Sequence, residues 1–362
     1  MMKVEIRPDW FLRDAAGRPT ALPALLGLLA AVSESGSISK AAAQRRISYR
    51  HAWGLLTQFS TQFGAELVVK VRGQGTVLSP LAEKLIWADR RIAARLTPLL
   101  DSLASELQQE LASVLALDVQ VLRLTASHGF AVAALVAQLE AQGVTVDIKY
   151  RGSTEAVAAL SRGECELAGF HLPVGEFEQA AAAKYRAWLD PARHALIHLA
   201  YRTQGIFVAK GNPKNVTSLA DLVRPDLRFV NRQQGSGTRV LLELLLARAG
   251  IDHARISGNS VAEFTHAAVA AYVASDMADV SFGVETAARR FDLDFIPVIR
   301  EQYFLACDKK LLDAPLVTAA QDVMASTAFK AVLAALPGYE AELSGTRLDV
   351  HALFQTSAHQ NV

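Results

Sequence analysis

Gly36-Ser-Ile-Ser-Lys-Ala-Ala-Ala-Gln-Arg-Arg-Ile-Ser-Tyr-Arg-His-Ala-Trp53 decides how the first part of the chain is read. Gly36 stops one helix, Ser37 or Ser39 caps a short second helix running to about Arg46, and Ile47 fills a tight turn. Ala41, Ala42 and Ala43 are small, as two closely crossing helices require. Ser48 caps a third helix, expected to continue to Phe63 and stop at Gly64, with Ala52, Leu55, Leu56, Phe59 and Phe63 on one buried face. Tyr49, Arg50, Trp53 and Thr57 are left on other faces, the first two nearest the helix N-terminus. A generic helical bundle shows the same periodicity. The arrangement also fits a helix-turn-helix, which presents the start of its second helix to base edges in the DNA major groove.

Outward from this stretch, leucines at helical spacing over residues 21–34 predict a preceding helix. Leu67–Arg72 and Thr76–Leu78 read as two strands around Gly73-Gln-Gly75, a hairpin placed like a wing. Candidate DNA contacts are Arg45, Arg46, Ser48, Tyr49, Arg50 and Trp53, with Lys70, Arg72 and Gln74 meeting phosphate or the minor groove. Ser79-Pro80 opens a long helix whose Leu81, Leu85, Ile86, Ile92, Leu96, Leu99, Leu100, Leu103 and Leu107 form an apolar stripe. The stripe reads as a dimer seam, the alternative being a helix packed on its own domain.

At 362 residues the chain is too long for one typical core, and 51% hydrophobic against 20% charged residues predicts folded domains. The net charge of +1 hides an asymmetry: residues 1–100 carry 14 Lys and Arg against 7 Asp and Glu, the remainder 23 against 29. A basic first part suits a nucleic-acid module, though a solvated charged face gives the same count. Cys165 and Cys307 lie in apolar contexts without metal-site spacing, which predicts a reducing compartment. The first residues lack a signal-peptide core and no apolar run approaches a membrane span, so a cytoplasmic protein without a membrane partner is expected.

Residues 118–357 alternate strand-like and helical patterns: Val119–Thr125 before a helix over 129–142, Val144–Tyr150 before one over 154–162, then Leu167–His171. This predicts an α/β architecture with a largely parallel sheet. A second block from Ile206 to Ile296 makes two lobes, about 118–202 with 300–362 and about 203–299, with crossings near 201–206 and 297–302. The expected domains are therefore 1–80, a linker or dimerisation helix at 81–117, and a two-lobed domain at 118–362. Ligands bind at the C-terminal ends of the strands in such folds. Ala126-Ser-His128, Arg151-Gly-Ser-Thr154 and Gln234-Gly-Ser-Gly-Thr-Arg239 each set small or hydroxyl residues just before a helix. Free N–H groups and the helix dipole there attract anions, although ordinary capping explains any single loop. The candidate effector contacts are Ser127, His128, Ser153, Thr154, His171, Arg232, Gly235, Ser236, Gly237, Thr238 and Tyr303. His171 ends the third strand facing the cleft, and Tyr303 lines the hinge or sits in the core. His266, on an apolar helix, reads as buried packing.

Gly-Ser-Ile-Ser-x-Ala-Ala-x-x-x-x-Ile-Ser-Tyr-Arg-x-Ala-Trp resembles the winged helix-turn-helix of the ModE family, molybdate-responsive regulators related in this domain to LysR-type proteins. The resemblance covers residues 20–110 and implies that the helix with Ser48, Tyr49 and Arg50 enters the groove. The glycine-rich wing of that family is here only Gly73-Gln-Gly75. Phe207–Pro213, Leu219–Leu222, Phe229–Arg239, Thr265–Ser275 and Ala278–Gly283 resemble the periplasmic-binding-protein-like domain of MolyB type. That resemblance implies a type II periplasmic-binding-protein fold with a small oxyanion, or a molybdenum-cofactor-related compound, in the cleft. Asp276-Met277 stands where the family carries a glycine, and Ser281-Phe282 replaces smaller residues, departures that bear on ligand identity.

These readings lead to a ligand-responsive regulator of transcription. A small anion between the lobes (molybdate, tungstate or a carboxylate such as formate) alters how a homodimer or higher homo-oligomer engages operator DNA. The other reading is a molybdenum-cofactor-related binding protein or biosynthetic enzyme with a regulatory head. No paired carboxylates, nucleophile–base pair or metal-ligand cluster stands out, so neither an enzyme nor a cofactor is expected. A transport binding protein is disfavoured by the attached DNA-binding pattern.

Overall fold

In the computed structural model the chain divides into two compact units, Arg7–Leu96 and Thr97–Val362 with Met1–Ile6. Residues 4–14, 16–73, 75–115 and 120–354 are described. Gln74, the expected domain boundary at 117/118, the first residue of the Val119–Thr125 strand and the last eight residues of the expected 118–362 domain lie outside them.

The Arg7–Leu96 unit opens with an antiparallel pair, β1 (Phe11–Arg13) and β2 (Pro19–Ala21). Helices α1 (Pro23–Ser35), α2 (Ile38–Gln44) and α3 (Tyr49–Phe63) follow. Their ends are set by local chemistry. Gly36 sits at φ 63° and closes α1. Ser37 Oγ accepts from Lys40 N–H at the start of α2, and Ser48 Oγ from His51 N–H at 3.1 Å at the start of α3. Gly64, at φ 66°, ends α3. Ala41, Ala42, Ala52, Leu56 and Phe59 share one core with Leu25, Leu28, Leu29 and Val32, while Leu55 and Phe63 pack half-buried at its margin. Ala43 is exposed instead, one residue past the crossing. A hairpin follows, β3 (Val68–Val71) and β4 (Gly75–Leu78). Thr76 N–H donates to Gly36 O at 2.9 Å, and a Cβ on Gly75 would lie 2.5 Å from that oxygen.

Helix α4 (Pro80–Val114), which Ser79 opens by accepting from Ala82 N–H, belongs to both units. Its apolar stripe divides accordingly. Ile86 is buried, and Leu81 and Leu85 pack beside it, in the core of the Arg7–Leu96 unit, as in the own-domain reading. Leu99, Leu103 and Leu107 are exposed. The helix runs through most of the stretch expected as a linker or dimerisation helix, 81–117.

The larger unit carries β5 (Val121–Ala126), α5 (Phe130–Ala141), β6 (Thr145–Tyr150), α6 (Ser153–Ser161), β7 (Leu167–Pro173), α7 (Glu178–Ala183) and β8 (His194–Val208). Then come β9 (Phe229–Arg232), α8 (Gly237–Arg248), β10 (Ala262–Glu263), α9 (His266–Ala274), β11 (Val280–Val284), α10 (Glu285–Arg290) and β12 (Asp294–Asp308). Helices α11 (Pro315–Ala325) and α12 (Thr327–Ala334), strands β13 (Tyr339–Glu340) and β14 (Arg347–Asp349), and α13 (Val350–Phe354) complete it. The strands form one sheet in the order β10-β9-β11-β8-β12-β7-β5-β6, with β13 and β14 also paired to β8.

The sheet corrects the expectation of a largely parallel arrangement. Its arms are parallel (β5 with β6 and β7, β9 with β10 and β11), but its centre is antiparallel. The reason is the chain path: β8 passes from the first lobe to the second, and β12 returns beside it, pairing from Asp294↔Val208 to Asp308↔His194. The approach is close at Gly205, where a Cβ would lie 2.1 Å from Ile296 O. Each lobe buries apolar clusters of its own. Leu122, Leu124, Leu135, Leu305 and Phe329 lie in the first, and Ile206, Phe229, Leu242, Val280 and Phe282 in the second.

Along the outer edge of the sheet, α4 presents serines to β6. Ser102 Oγ accepts from Tyr150 N–H at 3.2 Å and Ser105 Oγ from Ile148 N–H at 3.3 Å. Ser105 also donates to Asp147 Oδ1 at 2.9 Å. Edge-strand groups that would otherwise seek another strand are thereby satisfied by a helix.

Candidate functional site

Residues at the starts of four helices line one cavity of the larger unit. Ser127 and His128 precede α5, and Gly152 and Ser153 open α6. Ser236, Gly237 and Thr238 open α8, and Phe264 and His266 flank the start of α9. Gly129 and Gly152 cap α5 and α6 without side chains of their own. Ser236 and Thr265 cap α8 and α9 by accepting from Arg239 N–H and Ala268 N–H. Each N-terminus contributes unpaired N–H groups and partial positive charge, so the cavity favours anions before any side chain is counted.

The side chains reinforce that bias. Arg232, at the end of β9, is 6% exposed. Its Nη2 donates to Phe264 O at 2.7 Å, while Nε and Nη1 are buried with no hydrogen-bond partner. Burial, with Arg202 nearby as the second cause, pushes the guanidinium down to about 9. Arg202 on β8 is equally buried but paired: its Nη2 and Nε lie 2.8 and 2.9 Å from Glu301 Oε2, to which Gln204 also donates. No carboxylate is among the residues lining the cavity. One buried positive charge is therefore matched and the other is not. An unmatched buried charge costs several kcal/mol, roughly, unless a counter-ion arrives.

Three histidines complete the lining, all held neutral. Burial, and then the Arg202 and Arg232 charges, hold His171 well below its ordinary value. His266 is depressed in the same way, by burial first, then Arg232 and Arg202. Burial and Arg232 lower His128 to about 4. The Nδ1 of His171 lies 3.1 Å from Ser153 Oγ, and its ring stacks on Tyr303 at 4.0 Å between centroids. His171 Nε2 and His266 Nδ1 are buried without partners. His128 meets Tyr150 edge-on at 4.9 Å.

The cavity thus gathers Ser127, His128, Ser153, His171, Arg232, Ser236, Gly237 and Thr238 from the sequence-predicted set. Thr154 and Gly235 line an adjoining cavity that shares Ser153, His171 and Gly237 with the first and adds an apolar wall of Val240, Leu241 and Leu244. Tyr303 is not among the lining residues of either cavity. It stands behind His171, its hydroxyl directed to Ser127 O at 3.5 Å, in space left free by Gly169. Ser236 spends its hydroxyl oxygen on capping, the alternative that any single loop allowed. Arg202 and His266 escaped the sequence reading. A lone arginine in an otherwise apolar strand and a Thr-His pair opening an apolar helix were the available signals. His266 is buried as expected, and it also lines the cavity.

The departures from the resembled family lie elsewhere. Asp276 adopts φ 57°, the left-handed region that favours glycine, and pairs with Arg228 at 2.8 Å. Ser281 donates to Val230 O, and Phe282 is core. None of these lines either cavity.

In the Arg7–Leu96 unit, Arg46, Ser48, Tyr49, Arg50, Trp53, Lys70 and Arg72 are exposed, with Tyr49 at 50% and Trp53 at 48%. Arg45 is also exposed, but its guanidinium lies against Gly27 of α1, where a Cβ would meet it at 2.7 Å. Among the described residues no helix is long and apolar enough to cross a membrane, and no group of three or more His, Cys, Asp or Glu is placed to hold a metal ion.

The chain matches the PBP superfamily domain over residues 134–325. It is similar to an uncharacterized protein, YvgK, of Bacillus subtilis, with 37% identity over 197 residues, covering 54% of this chain and 63% of the relative. The molybdenum-pterin-binding protein MopB of Rhodobacter capsulatus is 33% identical over 152 residues, 40% of this chain and 55% of that protein. The chain therefore spans somewhat over half the length of these two relatives. Among solved structures it is similar to CbnR, a LysR family transcriptional regulator, at 17% identity and a TM-score of 0.37, covering 82% of this chain and 96% of that one. With the match running over more than half its length, through the strands and helices that build the cavity, the chain belongs to the PBP superfamily.

Proposed function

We propose that the protein is a ligand-responsive DNA-binding regulator of transcription, in which a small anion held in the cavity of the larger unit modulates binding to operator DNA. The observation that carries this reading is Arg232: a buried guanidinium with two unpartnered nitrogens, at four helix N-termini, in a cavity without a carboxylate. Such a group is destabilising in an empty protein and useful in one that captures anions. The ligand is a small oxyanion such as molybdate or tungstate, or a small carboxylate such as formate. The molybdenum-pterin-binding name of the Rhodobacter relative favours a molybdenum species.

The output in this reading is the winged helix-turn-helix of the N-terminal unit. Ser48 sets the start of α3, and Tyr49, Arg50 and Trp53 stand exposed along it for base and phosphate contacts. The exposed Leu99, Leu103 and Leu107 of α4 suit a homodimer seam, and the protein works where the DNA is, in the cytoplasm. We read it as a binder rather than an enzyme, because Glu301, the carboxylate that lines the adjoining cavity with Ser153 and His171, is held on Arg202 and Gln204 rather than on the His171 ring. A second reading, a molybdenum-cofactor-related binding protein or biosynthetic enzyme with a DNA-binding head, draws on the same relative's name.

A thermal-shift panel of molybdate, tungstate, sulfate, phosphate and formate tests the sensor, since a ligand bound only by the folded state raises the melting temperature. Ser127→Ala and Thr238→Val are expected to lose the response while duplex DNA binding persists. Full responses in both variants would place the ligand elsewhere. Absence of salt-dependent binding to duplex DNA would end the regulator reading.

A further inference from the structure

The charges facing the cavity fix more than the sign of its ligand. Arg202 is neutralised by Glu301, which leaves Arg232 as the one uncompensated buried charge of the lining's deep wall. A monovalent anion balances it. A divalent anion exceeds that buried charge: Arg151 also lines the cavity but is exposed, and the buried groups able to answer are neutral histidines. His171 on β7 and His266 on α9 each keep one ring nitrogen buried and without a partner. A neutral imidazole offers one donor and one acceptor, whereas its protonated form offers two donors.

We propose that the cleft binds a divalent oxyanion together with one proton, which is held by the His171–His266 pair. This inference rests on the reading of the cavity as an anion site and adds to it the charge class of the ligand and the means of matching it. Formate and other monovalent carboxylates need only Arg232 and carry no proton with them.

The surroundings of the two rings support the step. His171 contacts Ser153 of α6 through Nδ1, stacks on Tyr303 of β12 and accepts from the Tyr185 hydroxyl at its carbonyl oxygen. The charged neighbours are Arg202 from β8 and Arg232 from β9, with Arg151 on the same cavity wall and Lys184 in the adjoining cavity. The carboxylates close by are Glu301, lining the adjoining cavity and held on Arg202 and Gln204, and Glu155 of α6, which accepts from Gly152 N–H at 3.1 Å. His266 faces Arg232, Arg202, His171 and His128. Burial, with the positive field of Arg202 and Arg232 added to it, keeps both rings neutral. A divalent anion among them reverses that field, and the open nitrogen on either ring becomes the place for a proton. The proton comes from solvent, so no further reactant is needed.

The test is calorimetric titration of the intact chain with molybdate in buffers of different protonation heat, at several values between pH 6.5 and 8.5, with formate as the monovalent comparison. The expected result is uptake of about one proton per molybdate, an affinity falling up to about tenfold per pH unit, and a flat profile for formate. His171→Gln or His266→Gln is expected to reduce the proton count. If either variant fails to fold, the count in the parent still decides. Saturable molybdate binding without proton uptake would overturn the inference and leave the anion site intact, as would equal uptake with formate. Failure of every anion to bind would overturn both.

Discussion

Arg232→Met separates the cost of the empty site from its use. Lowering a guanidinium from its ordinary value of 12.5 to about 9 corresponds to roughly 5 kcal/mol of unfavourable burial, at about 1.4 kcal/mol for each factor of ten. Methionine removes the charge and keeps most of the length. It also strands Phe264 O, which loses its 2.7 Å donor, a loss of about 1–3 kcal/mol. The balance is a ligand-free protein more stable by about 2–4 kcal/mol, seen as a melting temperature higher by several degrees. Equilibrium urea denaturation and differential scanning calorimetry in anion-poor buffer measure it directly. The same variant should show no stabilisation by molybdate, sulfate or formate at concentrations that stabilise the parent. Two outcomes would refute the reasoning: a variant less stable than the parent without ligand, or one that still gains stability from the anions. Either would mean that Arg232 is a structural residue whose free nitrogens are met by water.

Other outcomes follow from the same geometry. Arg50→Ala should weaken binding to duplex DNA at moderate salt while changing stability by less than about 0.5 kcal/mol, because the side chain is exposed; anisotropy titrations and melting curves decide it together. Gly205→Ala puts a Cβ 2.1 Å from Ile296 O on the strand that joins the lobes, so a loss of more than about 2 kcal/mol is expected in denaturation, and a neutral result would mean that β12 gives way easily. In the ligand-free protein His128 protonates near 4, against 6.5 when unfolded, so unfolding takes up a proton as the pH falls between these values. Its share of the stability is complete above about pH 6.5 and is lost toward pH 4, at up to about 1.4 kcal/mol per pH unit. Denaturation midpoints measured from pH 7.5 to 5 should decline, and His128→Gln should flatten the curve.

What could be read from the sequence was local. Ser37, Ser48, Gly36 and Gly64 act within one helical turn, so their neighbours in sequence are their neighbours in space, and all four do what the pattern predicts. The cleft loops were legible for the same reason, since a hydroxyl or glycine before an apolar helix marks an N-terminus wherever it lies. The parts that stayed hidden depend on distance along the chain. Arg202 finds Glu301 ninety-nine residues away, and only that pairing reveals Arg232 as the unmatched charge. His266 reads as core because burial in a wall and burial in a core have one sequence signature. The antiparallel centre of the sheet follows from β12 returning along β8, which no local period encodes. Asp276 reads as a functional departure, yet its positive φ shows a turn residue meeting a backbone demand.

The two serines of α4 set a register. Their hydroxyls seize alternate amides of β6, at Ile148 and Tyr150, and the residues that follow the strand are Arg151, Gly152 and Ser153 of the cavity. Teeth at two points of a ratchet fix its position where one would let it pivot. Any slide of the 151–153 loop along its strand must either carry the helix with it or strip both teeth at once. The helix so engaged is the one that begins at Pro80, among residues of the other unit.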